Sequence, residues 1–182
     1  DDASILLGVM SEEIRLGTSG YRYLSNTSSR VNLDHLQPVD GPIGRCFALV
    51  TPDGERTFAI CAGKMNELRA ESIPAKVFDD ASALILSAYL LRCDAGQPMP
   101  DATLRAIELA KANNVPVVLT LGTRFLIAER PEFWREFIAA HVNVVAMNEE
   151  EAEALTGEAD PLLACERTLE WADMVLCTAG PA

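Results

Sequence analysis

Residues 142–157 of this 182-residue chain read VNVVAMNEEEAEALTG. The first six residues, Val142 to Met147, form an apolar run of the length of a buried strand. Asn148 then supplies a helix N-cap, Glu151 stands at the third helical position as in a capping box, and Gly157 is a helix terminator. The stretch therefore predicts a buried strand that turns directly into a short helix, which is the repeating unit of α/β folds.

Similar apolar runs lie on both sides of this unit, and their starts are 32, 27 and 32 residues apart when Val142 is included. These runs are Ala83 to Ala88, Val115 to Leu121 and Met174 to Thr178. Amphipathic helices are predicted between them, over Asp101 to Asn113, over Glu132 to His141 after Pro131, and over Leu162 to Trp171 after the Asp160 cap. Apolar strands that alternate with helices are typical of a parallel sheet covered on both faces. We therefore predict a doubly wound α/β core over residues 83–182.

Residues 41–62 interrupt this rhythm. Arg45 to Val50 alternate in the manner of a strand, Thr51 to Glu55 have the composition of a turn, and Arg56 to Cys61 form a second strand. The pattern predicts an antiparallel hairpin. Because a two-stranded ribbon is only marginally stable alone, we expect it to pack on the core, on another strand pair or on a partner chain. A hairpin placed ahead of an α/β core is suited to act as a lid.

Composition excludes several classes of protein. The chain carries 27 acidic and 15 basic residues, a net charge of −12, with 49% hydrophobic residues. This balance argues against disorder and against nucleic-acid binding. The longest nearly apolar run, Ala83 to Leu91, is far shorter than the roughly 20 residues of a transmembrane helix. We therefore expect no membrane association, and a cytoplasmic location because no signal-like leader opens the chain.

The cysteines and histidines point away from metal or disulfide chemistry. The five cysteines include no C-x-x-C pair, and only two histidines are present. A zinc site, a disulfide framework and a Ser-His-Asp triad are thus disfavoured. The cysteines are expected to be reduced and in the core: Cys46, Cys61, Cys93, Cys165 and Cys177.

Both ends suggest a piece of a longer protein. The chain opens on Asp1-Asp2 ahead of the strand-length apolar run Ile5 to Met10, and it stops shortly after the last predicted strand. A parallel strand is normally followed by a crossover element. We expect the domain to be truncated at both ends.

Four short segments carry candidate site residues, and each has a purely structural alternative. Asn148 and Glu151 form a helix cap, or face the ligand crevice at the end of a parallel strand. Thr178-Ala179-Gly180 is a tight turn, or lets backbone amides approach a phosphate. Gly63 and Asn66 are turn residues or substrate contacts. Phe47 and Phe58 attach the hairpin to its sheet, or stack on a planar ligand.

The order of these segments resembles that of the ribokinase-like (PfkB-type) carbohydrate and nucleoside kinases. The resemblance covers essentially the whole chain, through the hairpin at 44–57, Gly63-x-x-Asn66, the strand at 84–88, the segment 147–157 and the strand end at 176–180. Within the family, longer blocks at 39–47, 68–74, 116–123 and 151–158 are most similar to the bacterial members that phosphorylate inosine and guanosine.

The resemblance implies a Rossmann-like core with a small β lid, and ATP-dependent phosphorylation of the 5′-hydroxyl of inosine or guanosine in purine salvage. Asn148 and Glu151 match an N-x-x-E pair that organises Mg²⁺ and the phosphates, with Glu151 acting on Mg²⁺ through water. The segment Thr178-Ala179-Gly180 matches a phosphate-binding strand end. Tyr89 lies near a position where sugar-phosphorylating relatives have an acidic substrate contact, and Arg45 and Phe47 would belong to the lid.

Two parts of the family pattern do not occur between Asp1 and Ala182. The Gly-Ala-Gly-Asp segment, with the general base, would lie beyond Ala182, and a Gly-Gly region that binds the sugar would precede Asp1. We therefore expect the chain to lack a catalytic base and to be inactive alone. The alternatives are a sugar or sugar-phosphate kinase of the same family, or a non-catalytic α/β binding module. The oligomeric state stays open, with a homodimer as one expectation.

Overall fold

A computed structural model describes residues 3–27, 29–92 and 96–180, so the predicted core position of Cys93 lies outside the described residues. The chain divides into two compact units. The first comprises residues 1–74 and 96–102, and the second comprises residues 75–95 and 103–182. None of the helices in the described residues has both the length and the hydropathy needed to span a bilayer.

Within the described residues, the first unit contains three pairs of strands, one complete α-helix and the start of another. β1 (Ser4–Ile5) pairs in parallel with β3 (Val31–Asn32), and β2 (Gly8–Ser11) pairs in parallel with β4 (Leu36–Val39). The helix α1 (Ser19–Thr27) lies between β2 and β3 in the sequence. The apolar run that predicted one strand near the start of the chain is therefore split between β1 and β2, which have different partners.

The predicted hairpin is confirmed. β5 (Arg45–Val50) pairs antiparallel with β6 (Arg56–Cys61), and the register runs from Arg45 opposite Cys61 to Val50 opposite Arg56. The turn holds Gly54 at a φ of +88°, a conformation that favours glycine. Every residue of both strands is exposed. Because opposite residues share a face, Phe47 and Phe58 lie on opposite faces, and the idea that both stack on one planar ligand is wrong.

The second unit is an α/β layer built on a four-stranded parallel sheet. Its strands are β7 (Leu84–Ser87), β8 (Val117–Thr120), β9 (Val144–Asn148) and β10 (Met174–Thr178), adjacent in that order. The helices between them are α2 (Met99–Ala112), which begins in the first unit, α3 (Arg124–Glu129), α4 (Pro131–His141), α5 (Glu149–Thr156) and α6 (Pro161–Thr168). The predicted α/β class, with a separate antiparallel hairpin, is confirmed.

Helix ends differ modestly from prediction. α4 begins at Pro131 as the sequence indicated, and Asp160 caps α6 by accepting hydrogen bonds from the N–H groups of Leu162 and Leu163. α6 ends at Thr168 rather than Trp171, because the chain tightens into turns in which Glu170 and Trp171 donate to carbonyls three residues earlier. The short helix α3 carries no strong pattern and was not predicted.

Only one face of this sheet is well covered. Leu86, Val117, Leu119, Val145 and Met147 share a buried face, whereas Ile85, Met174 and Leu176 on the other face are 71%, 53% and 54% exposed. Parallel crossovers are right-handed, so strands in sequential order place all their helices on the same side. The expectation of a sheet covered on both faces is therefore wrong for the described part of this unit.

The helical layer supplies the rest of the core. Trp134 of α4 is fully buried, and its indole N–H donates to the carbonyl of Leu126 at 3.0 Å. The four cysteines within the described residues do not belong to this core, contrary to expectation: Cys46 and Cys61 are exposed on the hairpin, and Cys165 and Cys177 are half-buried.

Candidate functional site

The carboxyl ends of the four parallel strands define one edge of the second unit. The register places Ser87 of β7 beside Thr120 of β8, and Asn148 of β9 beside Thr178 of β10. In open parallel sheets, ligands bind in the crevice outside this edge. Groups that hold phosphate or metal are therefore expected along this edge.

Asn148 and Glu151 form a complete capping box. The Asn148 Oδ1 accepts a hydrogen bond from the Glu151 N–H at 2.8 Å, and the Glu151 Oε2 accepts one from the Asn148 N–H at 3.0 Å. Each group satisfies a backbone donor that the helix itself leaves unpaired. The structural interpretation of this motif is therefore correct, and it fixes both side chains at the point where β9 meets α5.

Glu151 lies in an unusual environment for a carboxylate. The residue is only 5% exposed, and burial raises the pKa of its carboxyl group, while the hydrogen bond from Asn148 lowers it. The nearby charge of Glu150 raises it further. A bound cation would stabilise the charged form that burial disfavours. One of its oxygens is engaged by the helix cap, so the carboxylate has its second oxygen for a water molecule or an ion.

Glu149, the first residue of α5, links the two neighbouring strand ends. Its Oε1 accepts a hydrogen bond from the Gly180 N–H at 2.9 Å. Hydrogen bonds from its own N–H and from that of Gly180 lower the pKa of Glu149. Thr178 pairs with Asn148 of the capping box, and a side chain of this chain contacts the Gly180 amide.

A thiol also lies close to this edge. Burial, followed by the neighbouring Cys165, Glu149 and Glu151, raises the pKa of Cys177 to about 11. A thiol with so high a pKa stays protonated at neutral pH, and the thiolate is the nucleophilic form. The edge is thus suited to binding anions or cations through oxygen and nitrogen, and not to thiolate catalysis.

Tyr89 lies at the end of β7, in the short turn Ala88–Leu91. Its N–H donates to the Ser87 hydroxyl at 3.4 Å, and its ring is packed against Gly122. Gly122 has a φ of +80°, and a Cβ atom there would lie 3.0 Å from the Tyr89 ring. Gly122 is therefore required both by its backbone and by its aromatic neighbour, an association that sequence reasoning missed.

In the first unit, Gly63 and Asn66 follow the hairpin. Gly63 has a φ of +54°, and a Cβ atom there would lie 2.6 Å from the Pro42 carbonyl oxygen. The Lys64 N–H donates to that same oxygen at 3.0 Å. Asn66 donates through Nδ2 to the Gln97 side chain at 2.9 Å. The segment is thus held tightly against the residues that precede β5.

Arg45 and Phe47 lie on one face of the hairpin. The Arg45 guanidinium donates to the Glu13 Oε2 at 2.9 Å, and the Ile43 N–H donates to the other oxygen at 3.2 Å. Both hydrogen bonds lower the pKa of the Glu13 carboxyl group, and the one from the Ile43 N–H has the larger effect. The Glu13 carboxylate therefore anchors the base of the hairpin, while Phe47 is 61% exposed.

The predicted site residues accordingly fall into two groups. The strand-end group lies along one edge of the second unit, and the hairpin group belongs to the first unit. The strand-end group is Tyr89, Asn148, Glu151, Thr178, Ala179 and Gly180; the hairpin group is Arg45, Phe47, Gly63 and Asn66. Glu13 and Glu149 were not predicted, since their partners are distant in sequence.

The donor set can be tested against Mg²⁺. No cluster of three or more His, Cys, Asp and Glu side chains able to hold a metal ion occurs within the described residues. Mg²⁺ usually keeps several water ligands and is held by one or two carboxylates together with substrate phosphates. The single buried carboxylate of Glu151 fits that kind of site, and does not fit a metal bound by protein side chains alone.

Comparison with known proteins agrees with this arrangement. Residues 17–182 match the profile described as pfkB family carbohydrate kinase. The chain belongs to this family. It is 64% identical over 181 residues to the guanosine-inosine kinase of Escherichia coli strain K12, a match that covers the whole chain but 42% of that protein. The chain thus spans less than half the length of the curated relatives it matches most fully.

Solved structures of kinases share the fold. The adenosine kinase from Sinorhizobium meliloti superposes with a TM-score of 0.83 at 23% identity, over 98% of this chain and 53% of that one. A putative ribokinase II from E. coli, solved with ATP and Mg²⁺, superposes with a TM-score of 0.75 at 16% identity, over 98% and 57%. The predicted ribokinase-like fold and family are therefore confirmed.

Proposed function

We propose that the full-length protein transfers the γ-phosphoryl group of ATP to the 5′-hydroxyl of inosine or guanosine. The observation that carries this proposal is the 64% identity to guanosine-inosine kinase over the entire chain. The products, IMP and GMP, would return purine nucleosides to the nucleotide pool, which is purine salvage. We place the protein in the cytoplasm, where free thiols such as those of Cys46 and Cys61 stay reduced.

The strand-end group is proposed to bind the phosphates. Thr178, Ala179 and Gly180 present small side chains and backbone N–H groups, which suit the close approach of phosphate oxygens. Asn148 holds the first turn of α5, whose N-terminus favours negative charge. Family resemblance and the position at the carboxyl edge of the sheet support this assignment.

Glu151 is proposed to hold Mg²⁺ through water. Its buried carboxylate is fixed by the Asn148 N–H at 3.0 Å and is not neutralised by a basic side chain among its hydrogen-bond partners within the described residues. Mg²⁺, when bound with ATP, neutralises phosphate charge that develops during phosphoryl transfer. The role of this chain is to orient that carboxylate and to align the adjoining strand ends.

The hairpin group and Tyr89 are proposed to contact the nucleoside. The exposed Phe47 ring suits stacking on a planar base, and Arg45 lies on the same face of the hairpin. Gly63 and Asn66 follow the hairpin in a segment that hydrogen bonds hold in place. Tyr89 offers a neutral hydroxyl near the position where sugar-phosphorylating relatives have an acidic group. These assignments rest on the resemblance and on side-chain exposure.

Phosphate transfer by the purified full-length protein tests the proposal. Initial rates would be compared with Mg·ATP and, as acceptors, inosine, guanosine, ribose and fructose 6-phosphate. We expect kcat/KM for a purine nucleoside to exceed that for either sugar by at least about a hundredfold. Preference for a sugar would overturn the nucleoside assignment in favour of a sugar kinase. Failure with all four acceptors, together with ATP binding, would favour a non-catalytic binding module.

A further inference from the structure

A carboxylate of the chain itself occupies a backbone amide of the proposed phosphate-binding segment. Gly180 N–H donates to Glu149 Oε1 at 2.9 Å, across 31 residues of sequence. Glu149 directly follows Asn148 at the end of β9, and Gly180 follows β10 two residues after Thr178, which pairs with Asn148. The contact therefore joins two adjacent strand ends, at the place where phosphate is proposed to bind.

The Glu149 carboxylate lies in the space that a side chain at position 180 would occupy. A Cβ atom built on Gly180 would lie 2.9 Å from the Glu149 Oε1, which is nearer than a carbon and an oxygen normally approach. A residue with a side chain at position 180 would therefore push the carboxylate away. Glycine at this position therefore permits the contact with Glu149, which a side chain there would displace.

A carboxylate oxygen and a phosphate oxygen are equivalent acceptors for a backbone N–H, and both are charged. A single N–H has one hydrogen to donate, and two anions at one amide repel each other. We propose that Glu149 is a positioning residue that occupies the Gly180 amide in the nucleotide-free protein and is displaced by a phosphate oxygen of ATP. This inference rests on the proposed function, because it concerns the same nucleotide site.

Displacement makes the internal carboxylate a competitor of ATP. The apparent dissociation constant of a ligand is its intrinsic value divided by the fraction of protein in which the site is open. Removal of the contact is therefore expected to tighten ATP binding. In return, Glu149 keeps the segment after β10 in place before nucleotide arrives, since it ties that segment to the first turn of α5.

Three variants of the full-length protein separate the contact from the charge. Glu149→Gln removes the charge and weakens the contact, and Glu149→Asp keeps the charge but shortens the reach by one methylene. Glu150→Gln is the matched control, because Glu150 is the exposed next residue and has the same charge without the Gly180 contact. We expect both Glu149 variants to lower the KM for Mg·ATP by on the order of fivefold, with a smaller change in kcat. Glu150→Gln should leave the KM within about twofold of the parent value.

Hydrogen exchange of the Gly180 amide gives a second readout. The amides of β9 are the internal control, because a general loss of stability would also speed their exchange. In the nucleotide-free protein, we expect faster exchange at Gly180 in Glu149→Asp than in the parent or in Glu150→Gln. A non-hydrolysable ATP analogue should restore protection in all three proteins.

Each result decides between explanations. Unchanged KM and unchanged Gly180 exchange in Glu149→Asp would overturn the inference while phosphate transfer by the parent still supported the proposed function. A second contrary result is a KM for Mg·ATP that changes equally in Glu149→Gln and Glu150→Gln and stays at the parent value in Glu149→Asp. It would show an effect of charge without displacement, and it would also overturn the inference. A parent protein that neither transfers phosphate nor binds the analogue would overturn the proposed function, and this inference with it.

Discussion

The β5–β6 hairpin and the β7–β10 sheet are both built from apolar strands, yet they are buried to opposite extents. Every residue of the hairpin strands is exposed, whereas Val117, Leu119 and Val145 of the sheet are 0–1% exposed. The sheet is covered by the helices that connect its own strands. The hairpin strands are joined by the five-residue turn at residues 51–55, which contains no helix to cover them.

The difference indicates how the two regions serve the molecule. Burial of apolar surface is the main source of stability, so the sheet and its helices should dominate the free energy of unfolding. An exposed apolar ribbon contributes little to stability and retains its side chains for binding. Mutations should therefore affect mainly stability in the sheet layer, mainly activity in the hairpin, and both at the strand ends.

The largest expected effect is that of Trp134→Ala in α4. The side chain is fully buried and donates a hydrogen bond to the Leu126 carbonyl, so the variant leaves a cavity and an unpaired carbonyl. We expect a loss of about 3–5 kcal/mol in the free energy of unfolding, measured by urea denaturation of the full-length protein. Phe47→Ala in the hairpin is the control and should cost less than about 0.5 kcal/mol. Similar losses in both variants would show that the hairpin is packed in solution, and the contrast between the regions would fail.

At the strand ends, Asn148→Ala and Glu151→Ala should reduce both stability and activity. Loss of the cap is expected to cost about 1 kcal/mol, and loss of the proposed Mg·ATP contacts should lower kcat/KM for ATP by at least about tenfold. Asp160→Ala is the matched control, because the Asp160 side chain caps α6 but belongs to neither group of proposed site residues. If Asp160→Ala lowers kcat/KM as much as the other two variants do, the activity loss reflects helix capping alone.

In the hairpin, Phe47→Ala should raise the KM for inosine or guanosine by roughly tenfold, because one stacking surface is lost. Phe58→Ala provides the comparison, since this ring lies on the opposite face of the same ribbon. It should leave the KM for nucleoside near its parent value. Equal effects of the two substitutions on steady-state kinetics would mean that the hairpin responds as a whole and that neither face is specific.

The smallest expected effect is a pH dependence in the helical layer. Burial, and then the neighbouring Lys111, lower the pKa of His141 below its ordinary value of 6.5. The folded state therefore binds fewer protons than the unfolded state. The stability contributed by neutral His141 is present above pH 6.5 and is lost as the pH falls through the lowered pKa. His141→Gln should flatten the slope of the free energy of unfolding against pH between pH 7 and pH 5. An unchanged slope would mean that other titrating groups cause the pH dependence.

Local patterns predicted much of this structure. The four strands of the sheet, the Pro131 start of α4, the Asp160 cap and the Asn148–Glu151 capping box all depend on residues within a few positions of each other. The hairpin was likewise predictable, because its alternation and turn composition are contiguous. These features need no knowledge of what packs against them.

The remainder depends on contacts between distant residues. Ile85, Met174 and Leu176 are exposed because the order of the strands places all the helices on the other face of the sheet. Apolar runs in the sequence do not specify that order. Glu149 was not predicted as a site residue, because its Gly180 partner is 31 residues away. Gly122 likewise owes its environment to the Tyr89 ring on another strand. The strands β1–β4 have two or four residues each, too few for a reliable pattern.

The sequential order of β7, β8, β9 and β10 has a consequence for folding. Each new strand of this sheet pairs with the strand made just before it, and no strand has to wait for a later one to be inserted between two earlier ones. Contacts between neighbours in sequence close short loops, which favours rapid folding. The sheet can therefore grow strand by strand in the order of synthesis, as the chain leaves the ribosome.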